Sequence, residues 1–253
     1  MKESQLLTLT GVSKNFGGLK AVANLDLSIS SGYIYGLIGP NGAGKTTVFN
    51  MITGVYPCDS GSIVLENVDL TRLKPYRIAR LGISRTFQTI RLFPNMTTWE
   101  NVLIGQNFLA RSGIMGILPI GRSQELQLRE QAEEALNVLG LWEMRDRKGV
   151  TLPYGSQRKV EIARAIAAQP ILLLLDEPTA GMNIRETRDL LEVLSKIHDL
   201  GITILVIEHD MRVVMGICDY IFVLNFGRKI AEGTPAEIRR DEEVLEAYLG
   251  KEE

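Results

Sequence analysis

Short runs rich in apolar residues punctuate the chain, separated by longer stretches in which apolar positions recur every three or four residues. LLTLT (6–10), LDLSI (25–29), YIYGLIG (33–39), SIVLE (62–66), ILLLLD (171–176), ITILVIE (202–208) and YIFVLN (220–225) predict strands. Thr46–Thr53, Glu125–Leu139, Tyr154–Ala168, Ile184–Asp199, Met211–Ile217 and Pro235–Leu249 predict helices, several opened by capping residues or closed by glycine. Alternating strands and helices imply a parallel α/β core. The early strands lie too close together for helical crossovers, with turns at NFGG (15–18) and CDSGS (58–62), so they should form an antiparallel portion. From about Gln88 to Gln169 the pattern is helical with no strand. That predicts a helical subdomain, 88–169, inserted into an α/β core made of 1–87 and 170–253.

Charge sharpens this only by exclusion. With 28 basic and 30 acidic residues the net charge is −2, which gives no general attraction to nucleic acid or to an anionic membrane surface. The longest uncharged run, Leu27 to Gly44, has the length of a membrane span but carries five glycines, a proline, three serines and an asparagine, which argues against insertion. The first residues, MKESQLLTLTGVSKNF, lack the apolar core of a secretory signal and suit a first strand. Cys58 and Cys218, with no CxxC pair or histidine cluster nearby, are expected to be reduced packing residues.

Chemistry concentrates at the ends of strands. Gly39-Pro40-Asn41-Gly42-Ala43-Gly44-Lys45-Thr46 fits GxxxxGK[ST], follows the strand YIYGLIG and opens a helix. The glycines let a loop wrap phosphate with backbone N–H groups, and the helix start adds partial positive charge. Lys45 would then hold the β and γ phosphates and Thr46 would bind Mg²⁺. ILLLLDE suits a strand buried on both faces that ends in two carboxylates where ligands of open α/β sheets collect. Alternation puts Asp176 and Glu177 on different sides, so Asp176 can face a metal while Glu177 faces an attacking water. ILVIEHD repeats the design with His209 just past its end, whereas His198, inside a polar helix, reads as a surface or packing residue.

These motifs, in this order, resemble the ATP-binding cassette of ABC transporters, and the resemblance covers essentially the whole chain. It implies a P-loop NTPase fold of the ABC ATPase type and one cassette spanning 1–253. It makes Gly39 to Thr47 the phosphate loop, with Gly39, Asn41, Gly42, Ala43, Gly44, Lys45, Thr46 and Thr47 at the nucleotide. Gln88 becomes the glutamine loop and a metal contact, Ile171 to Asp176 with Glu177 the Walker B strand, Ala180 to Asn183 the D-loop, and His209 the switch histidine. Phe16 takes the place of the aromatic that stacks on adenine. The signature falls at LPYGS, Leu152 to Ser156, where the family pattern is LSGGQ: Pro153 removes a hydroxyl donor, Tyr154 replaces a glycine and Ser156 replaces a glutamine. Gly155 remains at a helix start, and backbone N–H groups there can still receive phosphate, so a working variant is expected, with Tyr154, Gly155 and Ser156 meeting the nucleotide of an opposing subunit.

Within that family, RTFQTIRLFPNMTTWENVLIG (85–105), the apolar insertion FLARSGIMGILPIG (108–121), LPYGSQRKVEIARA (152–165) and GTPAEIRRDEEVLEAYLG (233–250) resemble the LivG-type ATPases of branched-chain amino-acid importers. The resemblance implies ATP as substrate, Mg²⁺, a second identical or homologous cassette, two membrane permease subunits, an extracytoplasmic solute-binding protein at one remove, and a place on the cytoplasmic face of the membrane. Cassettes for urea, short amides or lipid export look similar and stay open as alternatives. A DNA-repair or translation ATPase fits less well, because the interval from Lys45 to Leu152 is too short for a long coiled-coil arm, the chain holds one cassette and no basic stripe is evident.

Overall fold

The computed structural model describes residues 5–106 and 122–249; the apolar insertion at 108–121 lies outside them. β1 (Gln5–Phe16) and β2 (Leu19–Ser30) form a long antiparallel pair joined at Gly17-Gly18, and β1 pairs on its other side with β4 (Ser60–Leu65), which turns into β5 (Val68–Asp69). This sheet has the order β2-β1-β4-β5. The second sheet has the order β10-β9-β3-β8-β7-β6. In it β3 (Ile34–Ile38), β6 (Ile83–Arg85), β7 (Leu172–Asp176), β8 (Thr203–Ile207) and β9 (Tyr220–Asn225) run parallel, and β10 (Arg228–Gly233) returns antiparallel to β9. The expected antiparallel portion and parallel core are both present, as separate sheets.

Every residue of β3, β7 and β8 is buried, as their unbroken apolar runs require of strands covered on both faces. Alternation divides them between two cores. Leu173, Leu175, Ile204 and Val206 enter one apolar cluster, while Leu172, Leu174, Leu205 and Ile207 enter the other with the inner face of the antiparallel sheet. Each such leucine contributes roughly 1.5–3 kcal/mol by leaving water.

The helices are α1 (Lys45–Ile52), α2 (Pro75–Arg80), α3 (Thr98–Ile104), α4 (Arg122–Val138), α5 (Tyr154–Ile166), α6 (Ile184–Asp199), α7 (Met211–Ile217), α8 (Pro235–Ile238) and α9 (Glu242–Leu249). Between β6 and β7 the described residues hold α3, α4, α5 and two 3-10 turns, with only an isolated bridge between Thr97 and Lys148. Val102, Leu136, Val160 and Ala163 of these helices join the cluster on one face of the parallel sheet. No helix among the described residues is long and apolar enough to cross a membrane.

Three strands and three helical segments depart from the sequence-based expectation. β5, β6 and β10 are short or polar, and pairing with a neighbour rather than periodicity defines them. α2 and α3, of six and seven residues, fall below the length at which an apolar stripe shows. The expected helix Pro235–Leu249 is broken, because the Asp241 side chain accepts from the Val244 N–H at 3.0 Å and starts α9 anew.

Candidate active site

The loop between β3 and α1 is made possible by glycine. At Gly39, φ is +147° and a Cβ would lie 2.0 Å from the Leu224 carbonyl oxygen; at Gly44, φ is +103° and a Cβ would lie 2.5 Å from that of Ala21. The loop therefore sits directly against β2 and the β9–β10 turn, and Gly227 N–H donates to the Ala43 carbonyl at 3.0 Å. α1 begins with no side-chain cap and no acidic residue in its first turn, so its leading N–H groups have no side-chain acceptor. Lys45 folds back into the loop, its Nζ donating to the carbonyls of Gly39 at 2.6 Å and Pro40 at 2.9 Å. Burial pulls its pKa down, and the nearby carboxylates of Glu177 and Asp176 oppose that.

The two carboxylates at the end of β7 diverge, though not by strand alternation: β7 stops at Asp176 and Glu177 lies in the turn beyond it. Asp176 is buried and its Oδ2 pairs with the Arg85 guanidinium at 2.8 Å. Arg85 also donates to Asn50 Oδ1 at 2.7 Å and lies over the rings of Phe87 and Phe49. Burial raises the Asp176 pKa, and the bond to Arg85 holds it back. Glu177 turns the other way on a left-handed backbone, φ +46°. Its Oε2 accepts from Gln88 Nε2 at 2.8 Å, and its Oε1 lies 4.0 Å from His209 Nδ1. Beside them Glu208 is buried and accepts from the Thr179 hydroxyl at 2.6 Å and its N–H at 3.0 Å, and burial raises its pKa.

A cleft of about 390 Å³ joins the loop to Gln88 and Glu177, while Gly39 and Asp176 lie outside its lining. Phe16, Leu19, Ala21, Asn41 to Thr47, Gln88, Glu177 and Phe226 line it. Phe16 stands at its rim, its ring edge-on to Tyr56 at 5.2 Å and 5.6 Å from Lys14 Nζ. Thr46 is exposed to the cleft at the start of α1. His209 lines a neighbouring cleft with Thr179 to Met182 and reaches this one only through Glu177.

Tyr154, Gly155 and Ser156 do not line the cleft; they form the first turn of α5, which has no side-chain cap after Pro153, with Tyr154 exposed, Ser156 half-buried and Gly155 buried. Tyr154 is engaged within its own chain, its hydroxyl donating to the Ala180 carbonyl at 3.0 Å. A Cβ on Gly155 would meet Glu186 Oε1 at 3.0 Å, and that carboxylate closes the capping box of α6 with Asn183. Arg85, Tyr56, Phe226 and Glu208 were not anticipated as site residues. Only Glu208, a carboxylate just past an apolar strand, carried a signal in the sequence; Arg85 is brought in by its ion pair with Asp176, and Tyr56 and Phe226 by packing.

Known proteins match this chain along its length. A family model described as "ABC transporter" matches residues 22–180, and one described as "Branched-chain amino acid ATP-binding cassette transporter" matches residues 228–253. The chain is 46% identical over 250 residues to the high-affinity branched-chain amino acid transport ATP-binding protein LivG of Salmonella typhimurium, covering 97% of this chain and 98% of that one. Its structure is similar to the ADP conformation of MJ1267, an ATP-binding cassette of an ABC transporter, with a TM-score of 0.86 and 34% identity over 98% of this chain and 99% of that one. It is also similar to the dimeric structure of MJ0796, a bacterial ABC transporter cassette, with a TM-score of 0.77 and 27% identity over 91% and 99% of the two chains.

Proposed function

We propose, from the premise that this chain belongs to the ABC transporter family and is one of its ATP-hydrolysing cassettes, that it is the ATPase subunit of an importer for branched-chain amino acids. The observation that supports the catalytic reading best is the convergence of Gln88 and His209 on Glu177, beside a glycine loop that carries a buried lysine.

In this reading adenine stacks on Phe16 and the phosphates lie along Gly39 to Thr47, held by loop N–H groups and the start of α1. Lys45 exchanges its two carbonyl partners for the β and γ phosphates, whose charge outweighs the burial that lowers its pKa. Glu177 orients water and accepts its proton, Gln88 keeps that carboxylate aimed, and His209 donates to the γ-phosphate. The Thr46 hydroxyl, the Gln88 amide oxygen and Asp176 would hold Mg²⁺, an all-oxygen set that suits a hard cation; Asp176 gives one carboxylate oxygen to Arg85. Mg²⁺, when bound, neutralises charge on the β and γ phosphates.

The first turn of α5, Tyr154 to Ser156, closes the site of a second cassette, identical or homologous. The domain division is 1–87 with 170–253 as core and 88–169 as helical subdomain, and the segment after Gln88 meets two membrane permeases. A solute-binding protein supplies the solute from outside, and the cassette sits on the cytoplasmic face of the membrane.

Glu177→Gln tests the assignment. Hydrolysis should fall about 10²–10⁴-fold while ATP binding is retained, because the amide keeps the shape and cannot take the proton. Uptake of labelled leucine, isoleucine and valine by cells lacking the chain should return with the wild-type protein and not with the variant. Near wild-type hydrolysis by Glu177→Gln removes the base assignment, and uptake that ignores loss of the chain removes the solute.

A further inference from the structure

The buried ion pair of α5 has no part in the site described above. Arg158 and Glu161 side chains are 0% and 1% exposed and meet at 2.8 Å. Replacing such a pair with apolar residues is often neutral for stability, so stability alone explains it poorly. What distinguishes this pair is its other partners. The Arg158 fork donates to the Phe87 carbonyl at 2.7 Å and to the Gln88 carbonyl at 2.6 Å. Glu161 Oε1 accepts from the Arg91 N–H at 3.3 Å, and Arg164, one turn on, donates to the Arg91 carbonyl at 2.6 Å.

Residues 158, 161 and 164 recur every three positions and so lie on one face of α5, holding the main chain of 87–91 at both ends. The planar guanidinium is the group that can hold two adjacent carbonyls at fixed geometry, and charged donors make such bonds about twice as strong as neutral ones.

The contacts continue in both directions. Gln88, gripped by its carbonyl, reaches Glu177 with its side chain at 2.8 Å. One turn before Arg158, Tyr154 returns to Ala180, whose N–H donates to the Glu177 carbonyl at 3.2 Å. A closed circuit therefore runs Glu177, Gln88, Arg158, Tyr154, Ala180 and back.

We propose that Arg158 and Glu161 are positioning residues that lock the main chain at Gln88 to α5, so that the first turn of α5 takes the position dictated by the Gln88 side chain. The proposal rests on the reading that Gln88 and Glu177 act at the nucleotide.

Its test uses the protein's two tryptophans. Trp99 and Trp142 pack edge to face at 6.0 Å against the cluster that includes Val160 and Ala163 of α5, so their fluorescence reports on this region and not on the cleft. Arg158→Met/Glu161→Gln removes both charges together and leaves an acceptor for the Arg91 N–H. With Mg²⁺ and a non-hydrolysable ATP analogue, wild type should show a saturable fluorescence change. The double variant should bind the analogue within about twofold of wild type by calorimetry, lose most of the fluorescence change, and show at least about a tenfold lower kcat at unchanged KM.

A double variant that responds as wild type does overturns the proposal, and so does a wild-type chain that binds the analogue with no fluorescence change. No binding by the wild-type chain instead defeats the nucleotide reading. If the double variant unfolds early, Arg158→Lys decides: it keeps the charge without the fork, and a full wild-type response in it overturns the proposal.

Discussion

The loop after β3 and the first turn of α5, both proposed above to meet phosphate, are built in opposite ways. The loop has almost no side chains to move. It is fixed by backbone lying on backbone, with Gly39 against the Leu224 carbonyl and Gly44 against that of Ala21, and it cannot shift without carrying β2 and the β9–β10 turn along. The α5 turn is held by side chains, Tyr154 on Ala180 below it and Arg158 on Phe87 and Gln88 one turn later. Close backbone approach gives a receptor of constant shape. Side-chain tethers give a surface whose placement can be reset by what the tethers hold, as a half-site completed by another subunit requires.

The largest test of this contrast is Gly155→Asp. The new carboxylate would face Glu186, within about 3 Å of where a Cβ falls, and would stand where the proposed function brings a partner's phosphate. In a Glu177→Gln background, sedimentation with ATP should show closure abolished while calorimetry shows ATP binding by the monomer intact. A variant that still dimerises with ATP means that the α5 turn is not the second half-site. Lys45→Ala addresses the fixed half. Loss of a buried charge-assisted contact should weaken ATP binding by roughly 2–3 kcal/mol, some 10²-fold, and weaken AMP binding much less. Equal losses for both nucleotides would make the lysine a loop brace. The smallest effect belongs to Pro153→Ser. A restored hydroxyl should change closure by at most ~1 kcal/mol, about fivefold, because the N–H that proline lacks has no partner within the helix. A larger change in the ATP concentration needed for sedimentation of the dimer would show that Pro153 itself shapes the turn.

What could be read from the sequence follows the range over which each feature is determined. β3, β7 and β8 were legible because burial on both faces demands unbroken apolar runs, and Asp176 and Glu177 because they close such a run; what parts them is the left-handed turn at Glu177, which strand alternation did not foresee. β6 was not, since Ile83-Ser84-Arg85 becomes a strand by lying beside Leu172 to Leu174. Arg85 was missed for the same reason, its bond to Asp176 crossing 91 positions of chain. Tyr154 was expected only at a partner's nucleotide, and the structure gives its hydroxyl a partner in its own chain. The Arg158 contacts, some 70 positions apart, leave no local trace beyond a charged residue on an apolar face.

In the role proposed for Glu177, its left-handed backbone sets activity in tension with durability. A glutamate at φ +46° is held in a conformation that costs on the order of 1 kcal/mol, and that asparagine or glycine adopts more readily. A lineage screened only for survival of heating would drift toward those residues and lose turnover as it gained resilience. If Glu177 is the base proposed above, its carboxylate is placed against the grain of folding, and function rather than fold sets the residue here.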